Sequence, residues 1–305
     1  MSMLVIGSRG SQLALWQSRW VQARLAELGQ ESRIEIIHTT GDKVLDVALS
    51  MVGSKGLFTK EIEDALLRGD VDLAVHSLKD MPTLLPEGLV LAAIPAREDP
   101  RDALVGSTLA EIPHGARVGT SSLRRAAQLR HIRRDLDIQT IRGNVDTRLR
   151  KLDEGQFDVI VLAAAGLRRL GWDRRIAEYL DPAIMCPAVG QGALAIETRV
   201  GPSICQRLDH MDTRRCVTAE RALLASLGGG CQVPIGAHAT LEGSTLHLAG
   251  VIVAPDGSQV VRLAADGLAT EAEKLGADLG EALLAAGGKR ILEMQSTNAT
   301  KNMDS

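Results

Sequence analysis

The sequence predicts an α/β protein with a smaller α+β region at its carboxyl end. At three places, near residues 3, 116 and 157, an apolar strand-like segment runs into a short loop and then into a helix-like segment. Strands that alternate with helices are typical of a mostly parallel sheet. From about residue 212 the pattern changes to a helix, short strands separated by the turns Glu242-Gly243 and Pro255-Asp256-Gly257, and a last helix. A chain of 305 residues has room for about two domains, or three smaller ones.

The individual elements follow from apolar patterning and from the residues at their ends. A strand over 3–6 leads through the loop GSRGS into a helix over 12–28, which ends at Gly29. A helix over 60–68, with Thr59 as its N-cap and Gly69 just past its end, precedes a strand over 71–77. The other predicted elements are a strand over 116–119, a helix over about 123–134, a strand over 157–166, and helices over 213–227 and 271–286.

Proline-containing segments suggest where the chain passes between domains. The segments 95–100 and 182–187 bracket a middle block that has its own strand–helix pattern. We therefore predict a discontinuous domain 1 over 1–95 and 188–209, a domain 2 over 96–187, and a domain 3 over 210–305.

Composition excludes several classes of protein. Apolar residues make up 45% and charged residues 24%, as in ordinary globular proteins. A net charge of −3 and an aromatic content of 2% argue against binding to nucleic acid. No apolar run reaches the ~18–20 residues of a membrane span, and the first residues do not resemble a signal peptide. We expect a cytoplasmic protein that binds neither nucleic acid nor membranes.

The four cysteines are at positions 186, 205, 216 and 231, and their spacing matches no metal site. We expect free thiols and no bound metal. Cys231 follows three glycines in GGGCQVPIG, a loop that suits a thiol carrying a bulky group. Many loop cysteines are inert, so the residue types alone leave its role open.

Arginine outnumbers lysine, and it is concentrated between residues 117 and 150. Arg124 and Arg125 follow GTSS at a predicted helix N-terminus, where backbone N–H groups and two guanidinium groups favour a carboxylate or phosphate. For Arg130, Arg133 and Arg134 we predict a solvated helical face. Anion-binding groups recur at Arg9 and Ser11, in the loop that opens the first helix. If two α/β domains face one another, both loops could line one cleft.

The segment VHSLKDMP leaves the end of an apolar strand, where open α/β sheets bind ligands. Lys79 and Asp80 are adjacent there. They are either a simple turn with a local ion pair or part of a site, in which an ionised aspartate could pair with a cationic or N–H-bearing group.

These residues belong to a longer series of motifs that resembles the porphobilinogen deaminase (hydroxymethylbilane synthase) family. The motifs, in order, are SRGSQLALWQ, VGSKGLFTKEIE, VHSLKDMPT, REDPRDA, VGTSSLRR, IRGNVDTRL, AAAGLRRLG, PAVGQGALAIE, TAERALL and GGGCQVPIG. The resemblance implies two α/β domains similar to periplasmic binding proteins around a cleft, plus the smaller α+β domain. It also implies a dipyrromethane cofactor, bound through a thioether to Cys231.

The implied reaction is a transfer that joins four porphobilinogen molecules head to tail, releases ammonia and gives hydroxymethylbilane. By resemblance Asp80 is the catalytic residue, and we expect a monomer. The residues implied to bind cofactor or substrate are Arg9, Ser11, Lys55, Phe58, Ser77, Lys79, Thr120, Ser122, Arg124, Arg125, Arg142, Gly143, Arg148, Arg169 and Gln191. Lys55 and Phe58 belong to, or closely follow, a segment over about 43–56 that is similar to the family's mobile active-site loop.

Two other functions fit parts of the pattern. A cytoplasmic receptor for a polycarboxylate could use the same scaffold, but it needs neither Asp80 nor a modified Cys231. A nucleic-acid binder could use the arginines of 117–150, but it would need base-stacking rings that the sequence lacks.

Overall fold

The computed structural model describes residues 3–39, 59–228 and 234–294. These residues form two compact units. Unit 1 comprises 3–39, 59–100, 165–173 and 191–214, and unit 2 comprises 101–164, 174–190, 215–228 and 234–294.

Helices and strands alternate along most of the chain. In chain order they are β1 (Leu4–Ser8), α1 (Gln12–Glu27), β2 (Ser32–Ile36), α2 (Lys60–Arg68), β3 (Leu73–Ser77), a 3-10 turn (Leu78–Asp80), β4 (Leu89–Ala93), β5 (Asp102–Val105), β6 (Arg117–Gly119), α3 (Leu123–Ile132), β7 (Asp137–Gln139), α4 (Val145–Asp153), β8 (Val159–Ala163), α5 (Ala164–Arg169), β9 (Glu178–Tyr179), β10 (Leu194–Arg199), α6 (Met211–Ser226), β11 (Ile235–Glu242), β12 (Thr245–Val253), β13 (Val260–Leu268) and α7 (Ala272–Leu283). The predicted mixed α/β class is confirmed. None of the helices in the described ranges is long and apolar enough to span a bilayer.

The sheet of unit 1 has the strand order β2-β1-β3-β10-β4. β1 is parallel to β2 and β3, but β10 is antiparallel to β3 and β4. The expectation of a mostly parallel sheet is therefore wrong, because β10 runs back along β3 with Leu194 opposite Ser77. The parallel strands β1 and β3 still end at the same edge of the sheet, and that edge is where open α/β sheets bind ligands.

Apolar side chains cover both faces of this sheet. Val75 of β3 belongs to the cluster that packs under α1, whereas Ala74 belongs to the cluster that packs under α2. Burial of each large side chain in these clusters contributes about 1.5–3 kcal/mol. Because side chains alternate along a strand, His76 shares the α2 face and Ser77 the α1 face.

The ends of α1 and α2 test the predicted helix boundaries. Glycines with positive φ follow both helices, Gly29 (φ 79°) and Gly69 (φ 81°), as predicted. Ser11 caps α1 by accepting a hydrogen bond from the Ala14 N–H at 3.3 Å. Thr59 is the N-cap residue of α2, as predicted. Its backbone is already near helical (φ −118°, ψ −31°), and its side chain makes no capping hydrogen bond.

Unit 2 contains a second mixed sheet of order β7-β6-β8-β5-β9. β6 is parallel to β7 and β8, and β5 is antiparallel to β8 and β9. The predicted strand over 157–166 is too long, since β8 ends at Ala163 and α5 begins at Ala164. A run of alanines has the highest helix propensity, and here it continues the chain as a helix.

The rest of unit 2 is an antiparallel sheet, β11-β12-β13, with helices packed against it. Its hairpins place Glu242 opposite Thr245 and Val253 opposite Val260, so both predicted turns are confirmed. Each of the three sheets consists of strands from one of the three predicted domain ranges. The domain boundaries themselves stay a prediction.

Close packing of α7 against α6 depends on Gly276. A Cβ atom at this position would lie 2.1 Å from the Ala219 carbonyl oxygen, which is backbone and cannot rotate away. We predict that Gly276→Ala lowers the free energy of unfolding by about 1–3 kcal/mol, because this clash outweighs the gain in helix propensity, about 1 kcal/mol.

The matched control is Glu273→Ala, at an exposed position of the same helix. Urea unfolding of both variants measures the difference. Equal stability of Gly276→Ala and the unchanged protein would show that the helices do not approach this closely.

Candidate active site

The turn Leu78–Asp80 leaves β3 at the ligand-binding edge of the unit 1 sheet. Ser77, the last residue of β3, accepts a hydrogen bond at 2.9 Å from Nε2 of Gln17, a buried residue of α1. The Leu78 N–H donates to the Ala193 carbonyl at 3.0 Å, which fixes the start of the turn. Asp80 is exposed at the end of this braced segment. Its carboxylate is therefore open to a ligand while its backbone is held.

The loop after β1 reaches the same edge of the sheet. Ser8 is fully buried; its hydroxyl donates to the Arg9 carbonyl at 3.0 Å and accepts from the Ser18 hydroxyl at 2.8 Å. These bonds hold the backbone of Arg9, whose side chain is half-buried. Ser11 is already used as the N-cap of α1, so its hydroxyl hydrogen is the group left to donate to a ligand.

Two further predicted residues of unit 1, Arg169 and Gln191, lie in one hydrogen-bonded region. Arg169 donates to the Gly192 carbonyl at 2.6 Å, and its guanidinium lies 5.9 Å from the ring centre of Trp16. Burial lowers the pKa of Arg169 to about 10, and the nearby Glu98 carboxylate acts in the opposite direction. Gln191 is 1% exposed and donates to the Pro100 carbonyl at 2.7 Å, so the structure gives it a supporting position.

Arg124 and Arg125 of unit 2 are buried around one carboxylate. Arg124 Nη1 donates to Asp102 Oδ2 at 2.7 Å and to the Cys186 carbonyl at 2.6 Å. Arg125 Nε donates to Asp102 Oδ1 at 2.9 Å, and its Nη1 to the Val161 carbonyl at 3.1 Å. Burial lowers the pKa of Arg125, the Asp102 charge opposes this shift, and the Arg124 charge adds to it.

The loop that opens α3 has the shape of an anion site. The Ser122 hydroxyl caps the helix by accepting from the Arg125 N–H at 3.4 Å, and the Ser122 N–H donates to Thr120 Oγ1 at 3.2 Å. Thr120 is 4% exposed. This loop leads into the N-terminus of a ten-residue helix, and a helix N-terminus favours an anion through its backbone N–H groups and dipole.

Arg142 and Gly143 precede α4, and Arg148 lies in its first turn. Arg148 Nε donates to the Gly143 carbonyl at 2.8 Å, which bends the side chain back over the helix N-terminus. Gly143 has a φ of 106°, and a Cβ atom there would lie 2.6 Å from Thr147. Burial lowers the pKa of Arg148 to about 10, and the positive charge of Arg125 adds to the effect.

The charges of this part of unit 2 do not balance. Arg125 and Arg148 are close enough to repel each other, and no carboxylate in the described part of the chain pairs with Arg148. Arg124 Nε is buried and has no hydrogen-bond partner among the described residues. A buried excess of positive charge is costly without an anion. The site therefore fits a ligand that brings several carboxylates.

The sequence did not single out several residues that hold this site. Asp102 lies in the motif REDPRDA and Gln17 lies in SRGSQLALWQ, but neither motif predicts a role for these two residues. An aspartate that follows two prolines and an arginine in the sequence gives no sign that it will be fully buried between Arg124 and Arg125. Only the pairing of β5 with β8 brings Asp102 there.

The predicted residues Lys55, Phe58 and Cys231, and the segment over 43–56, lie outside the described residues. No group of three or more His, Cys, Asp or Glu side chains in the described ranges is arranged to hold a metal ion.

The predicted solvated face of Arg130, Arg133 and Arg134 is wrong for Arg133. This side chain is only 24% exposed and pairs with Asp135 at 2.7 Å. It also donates to the carbonyls of Leu109 at 3.0 Å and Ile112 at 2.9 Å. Helix α3 ends at Ile132, so Arg133 turns back towards the chain before β6 and does not continue the helical face.

The described residues form a mixed α/β protein in which arginines lie near strand ends and helix N-termini. Comparison with known proteins identifies the class. The family model "Porphobilinogen deaminase, dipyromethane cofactor binding domain" matches residues 4–206, and "Porphobilinogen deaminase, C-terminal domain" matches 214–285. The chain belongs to the porphobilinogen deaminase family.

Curated relatives agree over nearly the whole chain. A porphobilinogen deaminase from Syntrophobacter fumaroxidans is 54% identical over 94% of this chain and 96% of the relative. One from Pelobacter propionicus is 54% identical over 95% and 96%, and one from Geobacter sulfurreducens 52% identical over 95% and 93%. The predicted family is confirmed.

Solved structures with some likeness include transport proteins. The second substrate-binding domain of a putative amino acid ABC transporter from Streptococcus pneumoniae is 12% identical, with a TM-score of 0.42, over 75% of this chain and 96% of that one. A periplasmic substrate-binding protein from Coxiella burnetii is 14% identical, with a TM-score of 0.40, over 65% and 85%. Similarity at this level indicates nothing about the ligand of this chain.

The contacts of Arg133 lead to a prediction about stability. We predict that Arg133→Ala lowers the melting temperature, because it breaks the bonds to two backbone carbonyls and the pair with Asp135. The Arg133 guanidinium also lowers the pKa of Asp135 to about 2. The stability contributed by the Asp135 charge is therefore present above pH 3.8 and is lost as the pH falls towards about 2.

Arg134→Ala, at the exposed neighbouring position, is the matched control and is expected to have little effect. Thermal unfolding of both variants at neutral and acidic pH makes the comparison. A melting temperature for Arg133→Ala equal to that of Arg134→Ala would restore the solvated-face interpretation.

Proposed function

We propose that this chain is a hydroxymethylbilane synthase, which joins four porphobilinogen molecules head to tail, releases ammonia and frees hydroxymethylbilane by hydrolysis. The observation that carries the proposal is the buried excess of guanidinium groups around Asp102 and Arg148 in unit 2. Each porphobilinogen has an acetate and a propionate, so a growing pyrrole chain brings the carboxylates that this charge requires.

The arginines and hydroxyl groups bind and orient these carboxylates. Planar guanidinium groups hold a carboxylate through two hydrogen bonds, which fixes its orientation as well as its position. Lys79, Ser77, Ser11, Thr120, Ser122 and the helix N-terminus at α3 add single donors. The binding residues we propose among those described are Arg9, Ser11, Ser77, Lys79, Thr120, Ser122, Arg124, Arg125, Arg142, Gly143, Arg148, Arg169 and Gln191.

Asp80 acts on the reacting ring. Loss of ammonia from porphobilinogen leaves an electron-poor pyrrole, and positive charge develops on its nitrogen. An ionised carboxylate that accepts a hydrogen bond from this N–H stabilises that charge, and it can also hold the proton that leaves after coupling. The exposed position of Asp80, after a turn held by Leu78 and Ala193, suits such a role.

The residues present also fit a dipyrromethane cofactor. The buried Arg124 Nε has no hydrogen-bond partner in the described part of the chain, and an added carboxylate could accept its hydrogen bond. When bound, the cofactor supplies the two pyrrole rings to which substrate is added. We propose that Arg124, Arg125, Arg142 and Arg148 hold its carboxylates and that Lys55 and Phe58 also contact the pyrroles.

Cys231 is the attachment point in this proposal. The other three cysteines are buried free thiols. Burial raises the pKa of Cys186 to about 12, and it also raises the pKa of Cys205. Because the thiolate is the nucleophile, such thiols are poorly suited to form a thioether.

We further propose a three-domain division at 1–95 plus 188–209, 96–187 and 210–305, and a monomer that acts in the cytoplasm. Free thiols suit a reducing compartment. The net charge of −3 and the scarcity of aromatic residues support a small-molecule substrate, with no nucleic acid or membrane as partner.

Asp80→Asn tests the catalytic role. We predict a folded protein whose kcat falls on the order of 100-fold or more, because the amide keeps the shape of the carboxylate and loses its charge. Glu87→Gln, an exposed acid-to-amide change in the same unit, should leave the rate unchanged.

The measurement is release of ammonia and of hydroxymethylbilane from porphobilinogen. Unimpaired kcat in Asp80→Asn would remove Asp80 from the mechanism. A native protein that binds porphobilinogen without releasing ammonia would instead be a receptor, and the proposed function would be wrong.

Intact mass tests the cofactor. Two porphobilinogen units minus two ammonia add about 420 Da, and we predict this increment on the protein. Cys231→Ser should lack both the added mass and the activity, whereas Cys216→Ser, at a buried helical position, should keep both. Peptide mapping that located the added mass on Cys186, Cys205 or Cys216 would contradict the assignment.

A further inference from the structure

Three buried titratable side chains lie together in unit 1 and have no role in the function proposed above. His76 on β3, Glu197 on β10 and Glu63 on α2 are 6%, 0% and 7% exposed. His76 Nε2 lies 3.0 Å from Glu197 Oε2. In the antiparallel pairing His76 is opposite Ala195, and Glu197 is opposite Ala74, so the two side chains are diagonal neighbours on one face.

Glu63 approaches this pair from the helix. Glu63 lies in the first turn of α2 and is buried against the sheet. Its carboxyl group interacts electrostatically with both His76 and Glu197. Burial raises the pKa of Glu63, and the charges of Glu197 and of Asp64 raise it further. The Thr59 hydroxyl and His76 act in the opposite direction.

The cluster is short of protons if both acids are ionised. Two carboxylates and one imidazole would then have a net negative charge even with the imidazole protonated, and a buried uncompensated charge is costly. Among the described residues, Glu63 Oε1 and Glu197 Oε1 have no hydrogen-bond partner. A proton on Glu63 makes the cluster neutral while the His76–Glu197 pair is kept.

The cluster lies where both strands lead into the candidate active site. His76 immediately precedes Ser77 and the turn that ends at Asp80. Glu197 is on the strand that follows Gln191 and Ala193, and Ala193 accepts the hydrogen bond from Leu78. A tether between these strands, one residue before Ser77, fixes the register on which the turn depends.

We propose that His76, Glu197 and a protonated Glu63 form a positioning cluster that fixes the end of β3 and, through it, the turn that presents Asp80. None of the three touches the substrate. Their effect on the reaction rests on the function proposed above, whereas their protonation does not.

The first experiment breaks the tether and then restores it. His76→Leu removes the hydrogen bond to Glu197, and kcat should fall about tenfold or more, because a small displacement of a reacting group is costly. KM should change by no more than about twofold, since the arginines that bind carboxylates are other residues. In His76→Gln the amide nitrogen again donates to Glu197, and most of the lost kcat should return.

The rates are compared per cofactor-loaded protein, as measured by intact mass, so that a smaller loaded fraction is not mistaken for a lower kcat. Asp64→Asn, at the exposed position beside Glu63, is the control that keeps the native rate. Native kcat in His76→Leu would overturn the proposal, and so would an equal loss in His76→Leu and His76→Gln. If the native protein itself makes no hydroxymethylbilane, the proposed function fails instead.

The second experiment needs no activity. An acid with a raised pKa in the folded state contributes stability fully below its ordinary pKa of 4.5, and that contribution is lost as the pH rises towards the folded value. Glu63→Gln keeps the neutral shape and has no proton to lose. The melting temperature of Glu63→Gln minus that of the native protein should therefore increase by several degrees between pH 4.5 and about pH 8.

Glu87→Gln, at an exposed position whose charge is not among the causes of the Glu63 pKa shift, should show no such increase. A difference for Glu63→Gln that stays constant over this pH range would mean that Glu63 is ionised in the folded protein, and the cluster as proposed would be wrong. This readout remains decisive if His76→Leu fails to fold.

Discussion

The pairing of one buried carboxylate, Asp102, with Arg124 and Arg125 is the interaction on which the proposed anion site of unit 2 depends. Two guanidinium groups cannot be buried side by side without a counter-charge, and Asp102 supplies one negative charge at 2.7 Å from each. The pair is oriented, with further bonds to backbone carbonyls, before any ligand arrives. The remaining positive charge, including that of Arg148, suits the carboxylates of the proposed ligand.

Unit 1 differs from unit 2 because its candidate reactive group, Asp80, is exposed and its backbone is held by neighbouring residues. In the proposed reaction Asp80 meets a positively charged ring, and its exposed position leaves the carboxylate accessible for this contact. Its support comes from the backbone and from neighbours that point away from the ligand: Gln17 holds Ser77 on one face of the sheet, and His76 lies with Glu197 on the other. Rigid support of an open reactive group gives preorganisation without loss of access.

The two arrangements differ in which charged groups lose favourable hydration on burial. In unit 2 the guanidinium groups of Arg125 and Arg148 are removed from water, and this burial lowers the pKa of both residues. In unit 1 the buried acids are Glu63 and Glu197, and no arginine among the described residues forms an ion pair with either of them. Buried charged groups are often no more stabilising than apolar side chains of similar volume, so stability alone does not explain either arrangement.

Local signals in the sequence determined the α/β class, most helix ends and the position of the acid after β3. Gly29 and Gly69 end their helices because glycine has no Cβ atom and adopts a positive φ without steric cost. The motifs that carry the family resemblance also lie within short segments. Tertiary structure alone decided that β10 returns antiparallel beside β3, that Arg133 folds back onto Leu109 and Ile112, and that Asp102 meets Arg124 and Arg125. These features join residues far apart in the chain, and their energies depend on burial and on the surrounding charges, which no local pattern of residues specifies.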